Sequence, residues 1–279
     1  MLTFRDFVTG FRKLDIDRTH PVIVHASLSA FGKVNGGAET VLGALLSSFE
    51  TLIMPVFTYK TMITPEIGPP DNAIIYGSGM DANRMAEIFH PDMPADTMMG
   101  VLAEALRLHP KAQRSAHPIL SFAGINARPI LDSQLTHDPL LPIQSLVDQE
   151  GWVLLMGVDQ TVNTSIHYGE KLAGRKQFIR WALTPKGIIS CWGFPGCSDG
   201  FNAINPWLTD VIRKVGVGDG KIKAIPVANL VGAVCEILRA DPSALLCERA
   251  DCERCNIFRK PQTIPAKPKK QRQSRRKMT

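Results

Sequence analysis

The sequence predicts a layered α/β domain, and three observations lead to that class. Strand and helix signals alternate through the first half of the chain. The strongest apolar run, Trp152 to Val158, lacks the in–out alternation of a half-exposed strand and reads as a parallel strand buried on both faces. Of the 279 residues, 44% are hydrophobic and 21% charged. That composition buries enough apolar surface to offset ordering entropy, which excludes wholesale disorder.

The elements follow in order. Val22-Ile23-Val24 is a short β-branched run ending at His25, and a loop from Ala26 to Asn35 leads to Gly36-Gly37. From Ala38 to Phe49, Val41, Leu42, Leu45 and Leu46 repeat at helical spacing. Leu52-Ile53-Met54 is a second strand, stopped by Pro55. Met80 to Phe89 and Gly100 to Leu108 read as helices, the latter ending at His109-Pro110. The strand from Trp152 gives way to a polar loop, Asp159 to Asn163, and a helix from Thr164 to Ala173. Phe178 to Ile189 reads as paired strands turning at Thr184-Pro185-Lys186-Gly187, and Cys191 to Asn205 as a structured loop. Val227 to Arg239 is the last long helix.

Charge and cysteine use divide the chain. The net charge of +6 comes from the end: eight basic residues and no acid lie between Lys260 and Thr279. Without them, 24 basic residues face 26 acidic ones, so residues 1–259 carry about −2. We therefore expect a folded body over 1–259 and a disordered basic tail over 260–279. The tail offers no aromatic for base stacking, which argues against a nucleic-acid-binding role beyond weak phosphate attraction. No apolar run approaches the ~18–20 residues that span a bilayer. MLTFRDFVTGFRKL is too interrupted by charge for a secretory segment. A cytoplasmic location without membrane attachment is expected. All six cysteines follow residue 190, and in such a chain a cluster suggests metal or buried thiols before disulfides. Cys247, Cys252 and Cys255 have spacing compatible with structural zinc, and Cys197, in a Gly/Pro loop, is the candidate fourth ligand. Ordinary buried thiols remain the alternative, and Cys191 and Cys235 read as core residues.

Two segments carry candidate chemistry. His167 and Glu170, three apart at the start of a helix, share a face with Cβ atoms about 5–6 Å apart. A carboxylate beside an imidazole fixes its tautomer and raises its basicity, as a general base requires. The same spacing also fits a surface histidine beside a solvated glutamate. The segment His25 to Thr40 joins a strand end, the hydroxyls of Ser27 and Ser29, and Gly36-Gly37 at a helix start. Its backbone can approach a ligand, and the helix N-terminus favours phosphate. Alone, it fits an ordinary β-loop-α connection.

Four segments in register, HASLSAFGKVNGGAETV (25–41), MPVFT (54–58), RSAHPILSFAGINA (114–127) and GVDQTVNTSIHYGE (157–170), resemble the aminoglycoside 3-N-acetyltransferase family over about residues 20–190. The resemblance implies a single α/β layered domain of the antibiotic N-acetyltransferase type, with acetyl-CoA as co-substrate. The transfer it implies is of acetyl to a primary amine of an aminoglycoside or amino sugar. By motif position, His167 and Glu170 match the catalytic pair. Ser27, Leu28, Ser29, Val34, Gly36 and Gly37 match the part that holds the pantetheine arm and phosphates. Arg114 and Ser115 match an Arg-Ser step, where Arg would meet a phosphate and Ser the thioester end, and His117 reads as structural. Ala26 stands where the family usually has Ser. A polycationic acceptor calls for carboxylates, and Asp71, Asp81, Glu87, Asp92 and Asp96 are one cluster that could supply them or form a solvated face. Two other readings stand beside this one: a CoA-thioester hydrolase running the His/Glu pair on water, and a non-enzymatic polyanion-binding protein working through its tail and cysteines.

Overall fold

The computed structural model describes residues 1–259, and the expected basic tail lies outside the described residues. The first half contains α1 (Phe4–Lys13), β1 (Val22–Ala26), α2 (Gly37–Ser48), β2 (Leu52–Pro55), β3 (Met62–Ile63), α3 (Met80–Arg84), α4 (Gly100–Leu108), β4 (Gln113–Arg114) and β5 (Phe122–Ile125). Then come α5 (Arg128–Asp132), α6 (Leu141–Asp148), β6 (Trp152–Met156), α7 (Thr164–Leu172), β7 (Phe178–Thr184) and β8 (Gly187–Phe194). The chain continues through β9 (Arg213–Val217), β10 (Gly220–Pro226), α8 (Val227–Ala240) and α9 (Glu253–Arg259).

The main sheet is ordered β4-β5-β2-β1-β6-β10-β9, and a smaller one β3-β7-β8. β1 pairs in parallel with β2 and with β6, while β5 and β10 add antiparallel to the outer sides of that trio. The chain leaves β1 to one side for β2 and later returns to its other side as β6. That reversal opens a crevice at the carboxyl ends of the parallel strands.

Period-two alternation sorts the strand residues into two cores. Ile23, Ile53, Val153, Leu155 and Ile225 face one side and pack with residues of α6, α7, α8 and the β7–β8 hairpin. Val22, Val24, Leu52, Leu154, Met156 and Ile222 face the other and pack with α1, α2 and α4. The unalternating run of β6 is therefore buried on both faces, as its sequence predicts.

Two expectations are corrected. The helix expected over Met80 to Phe89 stops at Arg84. Met80, Met85 and Ile88 are exposed, so no apolar face rewards its continuation. The backbone N–H groups of Glu87 and Phe89 donate instead to Lys60 and Leu183. The loop expected over Cys191 to Asn205 is shorter, because β8 continues to Phe194 opposite Phe178 and a 3-10 helix covers Phe201–Leu208. The turn at Thr184–Gly187 forms as expected, with the two residues in register.

Candidate active site

A cavity of about 910 Å³ sits at the crevice. Its floor is made by the ends of the parallel strands, including His25, Ser27, Met54, Pro55 and Val158. Its outer wall comes from two distant segments, Phe194 to Asp199 and Arg249 to Arg254.

His167 reaches this cavity from the first turns of α7. The helix starts where it does because the Asn163 side-chain oxygen accepts from the Ser165 N–H at 3.2 Å, satisfying an end group that the helix leaves free. Gly169 lets α7 settle against α8, since a Cβ there would stand 2.6 Å from that of Val234. Thr164 to Glu170 are consequently all buried.

Within that burial, His167 Nδ1 lies 2.6 Å from Glu170 Oε2. A carboxylate only accepts, so the ring proton sits on Nδ1 and Nε2 is the nitrogen left for a ligand. Phe201 packs edge-on against the imidazole at 4.7 Å between centroids. Arg175 Nη1 donates to the other Glu170 oxygen at 2.5 Å. The Arg175 guanidinium is itself held by the carbonyls of Pro242 and Ala244 and lies over the Phe258 ring. The pair expected from spacing is thus brought together and buried, and Arg175 is a member that sequence reading missed. A lone arginine bonded to carbonyls 67 and 69 residues away leaves no local signal.

Ser27, Leu28 and Ser29 line the floor, with the two hydroxyls 3.1 Å apart. Among the described residues no hydrogen bond engages the backbone N–H of Leu28 or Ser29, as expected at the start of the 3-10 helix Leu28–Phe31. Gly157, at φ +69°, turns the chain beneath them, where a Cβ would meet Ala30 and the Ser27 carbonyl. His25 adds a buried imidazole whose Nε2 has no hydrogen-bond partner, and burial pushes its pKa down to about 3, so it stays neutral. Tyr59, also lining the cavity, is pushed up to about 12 by burial and remains a phenol. Val34, Gly36 and Gly37 stand at the start of α2, at the same end of the sheet but outside the cavity wall.

Arg114 and Ser115 lie elsewhere. The Arg114 guanidinium donates to Ser121 Oγ and to the carbonyls of Pro91, Met93 and Val56. Burial lowers its pKa to about 10. Ser115 Oγ lies 2.5 Å from Gln134 Oε1 and accepts from the Phe122 N–H. Both side chains are engaged within the protein and neither lines the cavity. His117 is structural, its Nδ1 accepting from the N–H groups of Ile119 and Leu120. The acidic cluster of residues 71–96 is also absent from the cavity lining; the carboxylates there are those of Asp199, Asp251 and Glu253.

The Sγ atoms of Cys197, Cys247, Cys252 and Cys255 all lie within 4.8 Å of one another, and none is in a disulfide. Cys197 and Cys252 border the cavity. Cys191 and Cys235 are buried apart from them, as expected of core residues.

The family model described as aminoglycoside 3-N-acetyltransferase matches residues 23–239. Aminoglycoside N(3)-acetyltransferase III of Salmonella sp is 28% identical over 234 residues, covering 73% of this chain and 79% of the relative. Among solved structures, the apoenzyme of aminoglycoside acetyltransferase AAC(3)-IVa superposes with a TM-score of 0.75 at 23% identity, over 92% of this chain and 96% of that one. AAC-IIIb in binary complex with CoASH gives 0.69 at 21% identity, over 86% and 98%. The fold is theirs.

Proposed function

The chain belongs to the aminoglycoside 3-N-acetyltransferase family, and on that premise we propose that it moves acetyl from acetyl-CoA to a primary amine of an aminoglycoside or related amino sugar. The observation that carries this reading is the buried His167–Glu170 pair opening on the cavity at the strand ends.

The acceptor ammonium first loses one proton to solvent, because only the free amine can attack. His167 Nε2 then takes a second proton from that nitrogen as it bonds to the thioester carbonyl carbon, while Glu170 stabilises the imidazolium and Arg175 holds Glu170. The N–H groups of Leu28 and Ser29 are the donors we assign to the tetrahedral oxyanion. Collapse then breaks the carbon–sulfur bond, and the imidazolium returns its proton to the CoA thiolate. Ser27, Leu28 and Ser29 hold the thioester end. Gly36 and Gly37, at the α2 N-terminus with Val34 beside them, serve the phosphates. Carboxylates of Asp199, Asp251 and Glu253 suit a cationic acceptor. No helix among the described residues is long and apolar enough to cross a membrane. Free thiols fit a reducing compartment, and we place the enzyme in the cytoplasm on that ground.

The test is thiol release from acetyl-CoA with and without a panel of aminoglycosides and amino sugars. Release should require the amine, and His167→Ala should lower kcat by about 10²–10⁴-fold. The acetyl-CoA KM should move far less. Equal release without any amine would make the protein a thioester hydrolase.

A further inference from the structure

The segment from Asp241 to Cys252 contains no helix or strand, and only the seven residues of α9 follow it among the described residues. The local core under it is unusual: Cys247, Cys252 and Cys255, with Cys197 and Leu246 against them. Leu245 anchors the start of the segment in the main core, with Ala244, Ile257 and Phe258 against it, whereas around Cys247 to Cys255 four small thiols and one leucine bury little apolar surface.

Their geometry supplies another means. With Zn–S bonds of about 2.3 Å, a tetrahedral site sets its sulfurs about 3.8 Å apart. The four Sγ atoms already lie within 4.8 Å of one another, so closing on an ion takes shifts of about an ångström or less. Cys197 comes from the loop after β8 and the other three from the segment before and within α9, so an ion would cross-link two chain segments. A four-thiolate zinc site carries excess negative charge, and cations stand ready beside it. Arg249 pairs with Asp199 at 3.3 Å, and Arg259 Nη2 lies 4.0 Å from Cys247 Sγ.

The same segment does two things for the cavity. Between Arg249 and Arg254 it forms the outer wall, with Asp251 and Glu253 on it. Through the carbonyls of Pro242 and Ala244, at 2.8 and 2.7 Å, it fixes Arg175, which in turn grips Glu170.

We propose that Cys197, Cys247, Cys252 and Cys255 bind a structural zinc ion that fixes the acceptor-side wall and, through Arg175, the orientation of Glu170. Arg175 is then a positioning residue. The metal site stands on its own geometry; only its consequence for catalysis rests on the acetyl-transfer reading.

Metal analysis of the purified full-length chain should find about one equivalent of zinc, and cobalt(II) should give the intense visible bands of a tetrahedral thiolate site. Less than about one-tenth equivalent, or a disulfide among the four cysteines, overturns the site. Zinc removal, or Cys255→Ser, should speed hydrogen exchange at least about tenfold across 241–259 and at Glu170–Arg175, with the exchange of β1 and β6 unchanged. Exchange that stays the same at both places overturns the positioning role, whichever acceptor is used. With the best aminoglycoside from the panel, zinc removal should raise the acceptor KM at least about tenfold while the acetyl-CoA KM stays within about twofold. An equal rise in both would assign the ion to the fold as a whole rather than to the acceptor wall. Should no aminoglycoside be acetylated, metal content and exchange decide the proposal by themselves.

Discussion

The floor of the cavity and its outer wall are held in different ways. The floor is the end of a sheet whose central strands, β1 and β6, are hydrogen-bonded in register over five residues, with Val22 to Val24 and Val153 to Met156 inaccessible to solvent. The wall is mostly irregular backbone carrying exposed Arg249 and Asp251, with Glu253 at the start of α9, and it is tied down by a thiol cluster, by Arg175 and by the edge-on packing of Phe258 against Phe178. One region is fixed by packing on both faces, the other by a few discrete ties. The contrast teaches that substitutions in the wall can leave the sheet packing untouched, the link from the wall segment to Glu170 running only through Arg175 and the carbonyls of Pro242 and Ala244.

The largest expected effect is in the floor. Leu154→Ala removes a fully buried side chain from the face packed on α2 and α4, and should cost about 3–5 kcal/mol of global stability. Chemical denaturation measures it, and a loss under about 1 kcal/mol would break the contrast between a close-packed floor and a loosely tied wall.

Acid comes next. Burial holds His25 down to about 3 and His117 to about 4, against an unfolded value near 6.5. Both are neutral in the folded protein, while the unfolded chain takes up protons below pH 6.5. Their contribution is therefore intact above that pH and is lost as pH falls toward 4, by up to about 1.4 kcal/mol per pH unit for each histidine. Unfolding free energies at pH 7.5, 6.0 and 5.0 test this. His117→Asn, which keeps an acceptor for Ile119 and Leu120, should flatten the slope; an unchanged slope would acquit that histidine.

Gly157→Ala probes the turn beneath the Ser27 loop. At φ +69° a Cβ would lie 2.5 Å from that of Ala30, so the backbone must shift, at about 1–3 kcal/mol. The acetyl-CoA KM should rise while the acceptor KM does not, the reverse of the pattern expected when the wall is loosened. The smallest effect belongs to neither region. Arg128 and Asp132 pair at 2.6 Å on the exposed face of α5, and Asp132→Asn should change stability by less than about 0.5 kcal/mol. A larger loss would mean that surface ion pairs contribute more here than the packing argument allows.

Much of the floor was legible because burial leaves periodic traces. The unbroken apolar run of β6 and the helical spacing of α2 identified elements that the structure contains. Edge strands were harder: in β9, Arg213 to Val217 alternates exposed and buried positions around lysine and glycine, which weakens any apolar pattern. α1 buries Phe7 and Phe11 at helical spacing, a signal made faint in the sequence by the charged residues of the exposed face between and around them.

What the sequence by itself determined is the layered α/β class, the His167–Glu170 adjacency on one helical turn and the close spacing of Cys247, Cys252 and Cys255, since each is written in local periodicity or spacing. Tertiary structure alone decided that Arg175 holds Glu170, that the Arg114 guanidinium donates to internal carbonyls, and that Asp199, Asp251 and Glu253 rather than the acids of residues 71–96 border the cavity. The reason is range. A helical turn or strand repeat is written in neighbouring residues, whereas the partner of a long cationic side chain is whichever carbonyl or carboxylate folding brings within 3 Å, and no short stretch of sequence records that.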